Sequence, residues 1–329
     1  MSRTIQHTFL ESILQKFQKK SEAVDALSGL LNIGKDGVYR RLRGDTYLTP
    51  EEIALLAKTY KVSFDALVFQ QSDLLLFTYN MMSKKINNYF DYASQLNHSI
   101  DQVLNMVDTR LSYATHEIPL FQYFLFPELT AFKLYVYGIT SWNFDFLKDR
   151  SFSFDLIPQP TLDLTAEIGR KYNLLSSREL WTVSVVDNTL NQLKYLLDID
   201  KFANRGDAQL ICDRLLDLIN HTKKMASKGK KFGPGLEPTE KNADYELFYN
   251  EFASTNNTIL VHTRAGKLLF TTFGNPNYLN TTDQALCEEY ESWYNALINN
   301  STSLSTGRSR EAYFNTLEKK TNEVRSRIN

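Results

Sequence analysis

The chain has 329 residues and a formal net charge of −1, from 37 lysines and arginines against 38 aspartates and glutamates. Its two cysteines, Cys212 and Cys287, exclude a disulfide framework and a cysteine zinc site. No apolar run is long enough to span a membrane, and the first residues, with Glu11 and Lys16 inside the apolar pattern, do not form a signal peptide. We therefore expect a soluble protein of the reducing cytoplasm.

The amino-terminal region predicts short helices, in keeping with a low content of 13 Gly and 8 Pro. Apolar side chains recur at helical spacing from Ile5 to Phe17, and Ser21 is a suitable N-cap for a second helix. A third helix is predicted over about 35–43 and is ended by Gly44.

Two further helices are predicted before residue 72. The sequence Thr49-Pro50-Glu51-Glu52 is a capping box, in which a threonine and a glutamate three positions later satisfy each other's backbone amides. The fifth helix starts at Ser63 and carries Phe64, Leu67 and Val68. The five helices together predict a first domain over residues 1–72.

Residues 21–44 predict two helices that meet across a tight turn. Ser28 is small where the helices approach, and Gly34 is expected to permit the turn. Val38 and Leu42 form the buried side of the third helix, so its opposite side faces outward. The candidate DNA-binding residues lie on or beside this outer side: Lys35, Asp36, Tyr39, Arg40, Arg41 and Arg43.

An exposed basic helix of this kind suits the major groove of B-DNA. Arg40 points directly away from the core, where its guanidinium can bind guanine O6 and N7 together. Arg41, on the flank, is expected to reach a phosphate or to cover the corner with its methylene groups. Lys35 fits either a base or a phosphate, and Asp36 fits a cytosine amine or the helix dipole.

The segment 21–67, about one seventh of the chain, resembles the helix-turn-helix of phage-repressor-like (xenobiotic-response-element type) bacterial regulators. The resemblance rests on the small and apolar positions at the turn and on the two helices that follow: Ser28, Leu31, Ile33, Val38, Leu42, Arg43-Gly44, 52–57 and 62–67. It implies sequence-specific binding of duplex DNA, normally as a dimer. An alternative is a protein-interaction module or scaffold that uses the same bundle to dock another protein.

The remaining chain, 73–329, is predicted to be a large, mostly helical domain for dimerisation and effector sensing. A long helix is expected over 81–117, where apolar side chains from Tyr89 to Leu111 form either a dimer seam or the inner face of a core helix. Residues 132–137 fit a helix or a strand, and 177–225 return to helical spacing. The later predictions are a loop over 226–242, a β-hairpin over 258–273 and two closing helices.

The fold class predicted is therefore mainly α, with a five-helix amino-terminal domain and one small β element. Phosphate-binding, nucleophile-elbow and metalloprotease motifs are absent, and the five histidines lack ligand spacing. We predict no enzyme activity, no cofactor, and no catalytic or metal-binding residues, and the sequence identifies no residues that would bind an effector. The predicted function is that of a bacterial one-component transcription regulator, a homodimer on double-stranded DNA, with a small-molecule effector as a further hypothesis.

Overall fold

The computed structural model describes residues 5–17, 19–60, 62, 64, 75–79, 86–252, 256–305 and 307–328. The chain divides into two compact units, Met1–Leu76 and Phe77–Asn329. The predicted fifth helix lies outside the described residues except for Phe64. Within the described part of the chain, no helix has both the length and the apolar character needed to cross a lipid bilayer.

The first unit contains four helices among its described residues, at the positions that the sequence predicts: α1 (Ile5–Leu14), α2 (Lys20–Leu31), α3 (Lys35–Arg43) and α4 (Pro50–Tyr60). Each helix contributes apolar side chains to one buried core, and Leu48, between α3 and α4, completes this core. The buried residues of the core are Phe9, Leu10, Ile13, Val24, Leu27, Val38, Leu48 and Leu56. The core therefore holds α3 by one side only.

The start of α4 forms the reciprocal cap that the sequence predicts. The Thr49 Oγ1 accepts a hydrogen bond from the Glu52 amide at 3.2 Å, and the Glu52 carboxylate accepts one from the Thr49 amide at 3.0 Å. Two amides that have no partner inside the helix are satisfied in this way. Gly44 ends α3 in the left-handed region, with φ of 83°.

The second unit is built on one seven-stranded sheet. Its strands are β1 (Arg110–Thr115), β2 (Ser176–Trp181), β3 (Tyr245–Tyr249), β4 (Thr258–Thr263), β5 (Gly266–Thr272), β6 (Tyr278–Thr281) and β7 (Thr302–Ser303). Their order across the sheet is β6-β5-β4-β1-β2-β3-β7. The neighbours β1, β2 and β3 run parallel, and every other pair is antiparallel. The sheet is therefore mixed, with a parallel centre.

Eight α-helices accompany this sheet in the described residues of the second unit: α5 (Tyr89–Leu104), α6 (Leu120–Tyr123), α7 (Pro127–Thr140), α8 (Gln159–Tyr172), α9 (Asp187–Asp198), α10 (Arg205–Lys228), α11 (Gln284–Asn299) and α12 (Gly307–Arg325). Helices α6 to α8 connect β1 with β2, and α9 and α10 connect β2 with β3, as parallel neighbours require. Leu111 and Tyr113 of β1 enter the main core, whereas Ala114 packs against Tyr294 of α11. Because side chains alternate along a strand, α11 covers the opposite face of the sheet.

Helix α7 passes close to its neighbours at a glycine. A Cβ atom added at Gly138 would lie 2.5 Å from Leu147 Cδ1 and 2.8 Å from the Tyr89 hydroxyl oxygen. Both neighbours are buried, so neither side chain can move away freely. The packing of α7 therefore requires glycine at this position.

The prediction of a mainly α fold is wrong, because the second unit contains a seven-stranded sheet and the fold is mixed α/β. The predicted hairpin over 258–273 is present as β4 and β5, but it is only one part of that sheet. Residues 132–137 lie within α7, and the segment 177–225 begins in strand β2. Helix α10 continues to Lys228, so the loop predicted from residue 226 starts after that helix.

The single helix predicted over 81–117 is also incorrect. The helix is α5, from Tyr89 to Leu104, and Leu111 belongs to strand β1. The side chains of Tyr89, Ala93 and Ile100 are buried in the core of the second unit. The helical spacing correctly predicts α5, but the apolar face of this helix packs inside the unit and is not free to act as a dimer seam.

Candidate functional site

The turn between α2 and α3 sets the direction of α3. Asn32 adopts the left-handed region with φ of 51°, and the Ser28 hydroxyl donates to the Ile33 carbonyl at 2.5 Å. Asparagine tolerates this conformation better than most residues. Gly34, in contrast, is extended with φ of −64°, a conformation open to any residue. The left-handed residue of the turn is therefore Asn32. The prediction that Gly34 permits the turn is wrong, because Gly34 is extended.

Helix α3 presents one basic side to solvent. Val38 is only 2% exposed, whereas Lys35, Asp36, Arg40 and Arg43 are all exposed. Tyr39 is 39% exposed and lies beside them. The structure thus places five of the six candidate DNA-binding residues on one accessible helix surface.

The cations of this surface differ in their partners. The Lys35 ammonium lies 2.5 Å from Asp25 Oδ1, and the Arg43 Nε lies 2.8 Å from Asp45 Oδ2. Both pairs are well exposed, so each contributes little to stability. Arg40 forms no ion pair with any residue that the structure describes, and its guanidinium is free for a ligand.

Arg41, the sixth candidate, is turned toward α4. Its Nε and Nη2 donate to the two carboxylate oxygens of Glu52 at 3.1 and 2.8 Å, and its Nη1 donates to the Gly37 carbonyl at 3.2 Å. The side chains of Arg41 and Glu52 are about 15% exposed. Partial burial opposes ionisation of Glu52, but the hydrogen bonds from Arg41 and from the Thr49 amide hold the pKa of this carboxyl below its ordinary value. The two bonds to Glu52 thus hold α3 against α4, while the bond to Gly37 lies within α3 itself.

A buried ion pair lies beyond the carboxyl end of β1 in the second unit. The Lys133 ammonium, fully buried, donates to Glu117 Oε1 at 2.9 Å and to Gln192 at 3.1 Å. Glu117 also accepts from the side-chain amides of Asn188 at 2.8 Å and Asn275 at 2.7 Å. Burial alone would raise the pKa of Glu117, but the charge and hydrogen bonds of Lys133 keep it below its ordinary value.

This buried ion pair lies next to an open cleft. Asn188, Gln192 and Asn275 line a cleft of about 610 Å³, so their amides connect the ion pair with solvent. In open α/β sheets, ligands bind outside the carboxyl ends of parallel strands. The only sequence signal for the cluster is Lys133, a single charge within a run of apolar residues, and a single charge does not identify its partners.

A second buried charge pair joins β2 to the segment after α10. The Lys231 ammonium lies 3.8 Å from Glu179 Oε1 and 3.5 Å from the centre of the Tyr172 ring. Glu179 accepts hydrogen bonds from Tyr172, Ser177 and Trp181 at 2.6 to 3.0 Å. Burial lowers the pKa of Lys231 to about 7, and the charge of Glu179 opposes this shift. This pair lies in the core and serves the fold.

Three side chains on the α11 side of the sheet are arranged in space like the nucleophile, base and acid of a catalytic triad. The Ser112 hydroxyl lies 3.0 Å from His262 Nε2, and His262 Nδ1 lies 3.5 Å from Glu291 Oε1. However, Ser112 is in the middle of β1, paired with β2 on one side and β4 on the other. Its neighbouring amides serve the sheet and cannot form an oxyanion hole, so we assign no acyl-transfer chemistry to these residues.

No group of three or more metal-ligating side chains comes together in the part of the chain that the structure describes. Cys212 and Cys287 are buried thiols that form no disulfide with each other. Burial raises the pKa of Cys212 to about 12 and that of Cys287 to about 11. Both thiols therefore stay protonated and unreactive at neutral pH.

Comparisons of the chain with models of protein families, with curated proteins and with solved structures found no match in any of the three.

Proposed function

We propose that the chain is a cytoplasmic, sequence-specific DNA-binding protein of the bacterial one-component regulator type. The observation that carries this proposal is the exposed basic surface of α3, which a tight turn after α2 holds away from the core. A short exposed helix with arginine and lysine side chains fits the major groove. The formal charge of the whole chain is close to zero, so the local placement of these cations matters more than the total.

Each side chain on α3 has a distinct part in this proposal. Arg40 contacts a base edge, because it is exposed and forms no ion pair with a described residue. Lys35 and Arg43 exchange their exposed carboxylate partners for DNA phosphates, which costs little. Asp36 and Tyr39 border the same surface. Arg41 is a positioning residue, because its guanidinium is bound to Glu52.

A homodimer remains part of the proposal. One helix-turn-helix module contacts few phosphates, and two linked modules on two half-sites gain affinity through their high effective concentration. The buried apolar face of α5 is not the dimer contact, so the contact must use another surface. Sedimentation of the full chain at micromolar concentration tests this part, and a monomer would contradict it.

Selection of bound sequences from a random duplex pool tests the proposed function. The full-length chain should enrich a sequence motif over several rounds, whereas Arg40→Ala, selected in parallel, should enrich it less or with one position relaxed. Failure of the wild-type chain to enrich any motif would overturn the proposal. The alternative of a protein-interaction module would then take its place.

A further inference from the structure

The open cleft beside Glu117 lies where three strands of the second unit end. Strands β1, β2 and β5 run in the same direction, so the residues that follow them meet at one edge of the sheet. Glu117 follows β1, Asn188 and Gln192 lie on α9 after β2, and Asn275 follows β5. The cleft therefore joins side chains from distant parts of the sequence at the edge where ligands bind in open α/β sheets.

The carboxylate of Glu117 has no lone pair left for a ligand. Its Oε1 accepts from the Lys133 ammonium at 2.9 Å and from the Asn188 amide at 2.8 Å. Its Oε2 accepts from the side-chain amides of Asn275 at 2.7 Å and Asn257 at 3.4 Å. A carboxylate offers about four acceptor sites, and these four donors occupy them.

The ammonium of Lys133 is used in the same way. It donates to Glu117 Oε1 at 2.9 Å, to Gln192 Oε1 at 3.1 Å and to the Thr189 hydroxyl at 3.5 Å. Each of its protons therefore has an acceptor. The two buried charges neutralise each other, so the ion pair offers no free charge to a molecule in the cleft.

The ion pair fixes the orientation of the three carboxamides that line the cleft. A carboxylate accepts only from an amide nitrogen, so the nitrogens of Asn188 and Asn275 face Glu117. An ammonium donates only to an amide oxygen, so the oxygen of Gln192 faces Lys133. The opposite atoms, Asn188 Oδ1, Asn275 Oδ1 and Gln192 Nε2, have no hydrogen bond with a described residue, and solvent reaches all three. The cleft thus presents two oriented acceptors and one oriented donor, all uncharged.

These three atoms suit a ligand with several hydroxyl groups. A hydroxyl both donates and accepts, so neighbouring hydroxyls of one molecule can bind two acceptors and a donor at once. Tyr195 follows Asn188 and Gln192 along the same face of α9 and also lines the cleft. Its side chain is 63% exposed, and the ring offers an apolar surface to the C–H groups of a sugar ring.

The charged side chains of the cleft wall do not select an ion. Lys148, Arg150 and Lys201 are accompanied by Asp145 and Asp149, which leaves a formal charge of +1. All except the half-buried Lys201 are exposed. Exposed charges of both signs are screened by salt, so they contribute little preference for a charged ligand.

We propose that this cleft binds an uncharged sugar, whose hydroxyl groups contact the carboxamides of Asn188, Gln192 and Asn275. The cleft, of about 610 Å³, has room for a sugar ring. It lies wholly in the second unit, so this ligand class is inferred independently of DNA binding.

Calorimetric titration of the full-length chain with D-glucose, D-galactose and D-mannose tests the proposal. We expect at least one of them to bind at one site with a Kd below about 10 mM, as the binding energy per atom of small ligands allows. No saturable binding of any of the three would overturn the proposal.

Analogues of the best-binding sugar test which of its groups are recognised. Tetrahydropyran-2-methanol has the same ring without the ring hydroxyls and should not show saturable binding. The uronic acid and the amino sugar should bind within about threefold of the parent sugar, or more weakly, because the ion pair has no free charge. Binding of the tetrahydropyran as tight as that of the sugar, or a larger gain for either ion, would contradict the assignment.

Two substitutions connect the binding to the cleft. Gln192→Met keeps the length of the side chain but removes the donor, and it should weaken sugar binding by about five- to tenfold. Thr140→Trp places a large ring in the cleft at an exposed residue of α7, and it should abolish binding.

Each substitution has a matched control outside the cleft. Gln209→Met changes an exposed residue of α10 and should leave the Kd unchanged. Thr316→Trp is matched to Thr140→Trp, because each threonine is exposed and donates to the carbonyl four positions earlier, at 2.9 Å and 2.6 Å respectively. Thr316→Trp should also bind sugar as the wild type does.

Far-UV circular dichroism of each variant establishes that it is folded. If Gln192→Met does not fold because Lys133 loses an acceptor, Thr140→Trp decides, since Thr140 bonds only within its own helix. An unchanged Kd in either folded variant would contradict the assignment of the sugar to this cleft.

Discussion

Replacing Arg41 should destabilise the first unit, although the sequence places this residue beside the DNA contacts. The substitution Arg41→Met removes two charge-assisted hydrogen bonds to Glu52, at 3.1 and 2.8 Å, and one to the Gly37 carbonyl. It also leaves the Glu52 carboxylate, about 16% exposed, without its cation. A fully exposed ion pair contributes about 0.2–1 kcal/mol, whereas a hydrogen bond to a charged group contributes about 1.5–3 kcal/mol. We expect a loss of about 2 kcal/mol in the free energy of unfolding of this unit.

Hydrogen exchange of the full-length chain measures this loss where it occurs. Amides of α3 and α4 that open with the unit should exchange about 30-fold faster in Arg41→Met, which corresponds to about 2 kcal/mol. The matched control is Arg43→Met, because Arg43 pairs with Asp45 on an exposed surface. The control should stay within about 0.5 kcal/mol of the wild type.

A double-mutant cycle isolates the contact with Glu52. Arg41→Met, Glu52→Gln and the double variant should give a coupling free energy of about 1–2 kcal/mol. If Arg41→Met and Arg43→Met exchange at the same rate, or if the coupling is zero, then Arg41 does not hold α3 against α4. Its guanidinium would then be available to DNA, as the sequence analysis allowed.

Three further outcomes follow from buried groups. Lys133→Met leaves the Glu117 carboxylate buried without its cation, and urea unfolding should show a loss of about 3–5 kcal/mol that Glu117→Gln partly restores in the double variant. The pKa of Lys231 is about 7 in the folded chain, against 10.5 as its ordinary value, so the unfolded chain binds more protons between these pH values. The free energy of unfolding of the wild type, measured relative to Lys231→Met, should therefore rise from pH 7 to 9.5, by at most about 1.4 kcal/mol per pH unit. If the difference in free energy between the two proteins does not change with pH, burial does not lower the pKa of Lys231. Gly138→Ala should cost about 1–3 kcal/mol because its Cβ has no room, whereas Gly29→Ala, in open space on α2, should stabilise the chain by about 0.5–1 kcal/mol; equal effects on thermal unfolding would refute the packing argument.

Local signals in the sequence were sufficient for the four described helices of the first unit, although the left-handed residue of the turn after α2 is Asn32 and not Gly34. The capping box at Thr49 and Glu52 and the apolar spacing around Val38 depend only on residues a few positions apart, and the structure contains both features. The partner of Arg41 depends on how α3 meets α4. Helical spacing places Arg41 on the flank, but it does not show that Glu52 lies opposite.

The sheet could not be predicted in the same way. Strands β1, β2 and β3 are five or six residues long, and each pairs with segments far along the chain. Exposed positions near the start of β1 and β3 carry charged residues, Arg110 and Glu246. These strands therefore lack the continuous apolar run of a buried parallel strand. Leu111 also continued the apolar spacing of α5, which concealed the start of β1. The buried charges Lys133 and Glu179 become meaningful only when the folded chain supplies their partners.

The central claim is that α3 contacts bases through Arg40, and one binding titration tests it most directly. The titration compares the full-length wild type with Arg40→Ala and with a charge-matched control, Lys58→Ala. Lys58 is an exposed residue of α4 outside the proposed interface. Each protein is titrated onto the selected duplex and onto a scrambled duplex at two salt concentrations. Arg40→Ala should lose about 1–3 kcal/mol on the selected duplex and less on the scrambled one, because a bidentate base contact carries sequence preference. Lys58→Ala should match the wild type on both. If Arg40→Ala binds both duplexes as the wild type does, α3 does not read DNA through this residue.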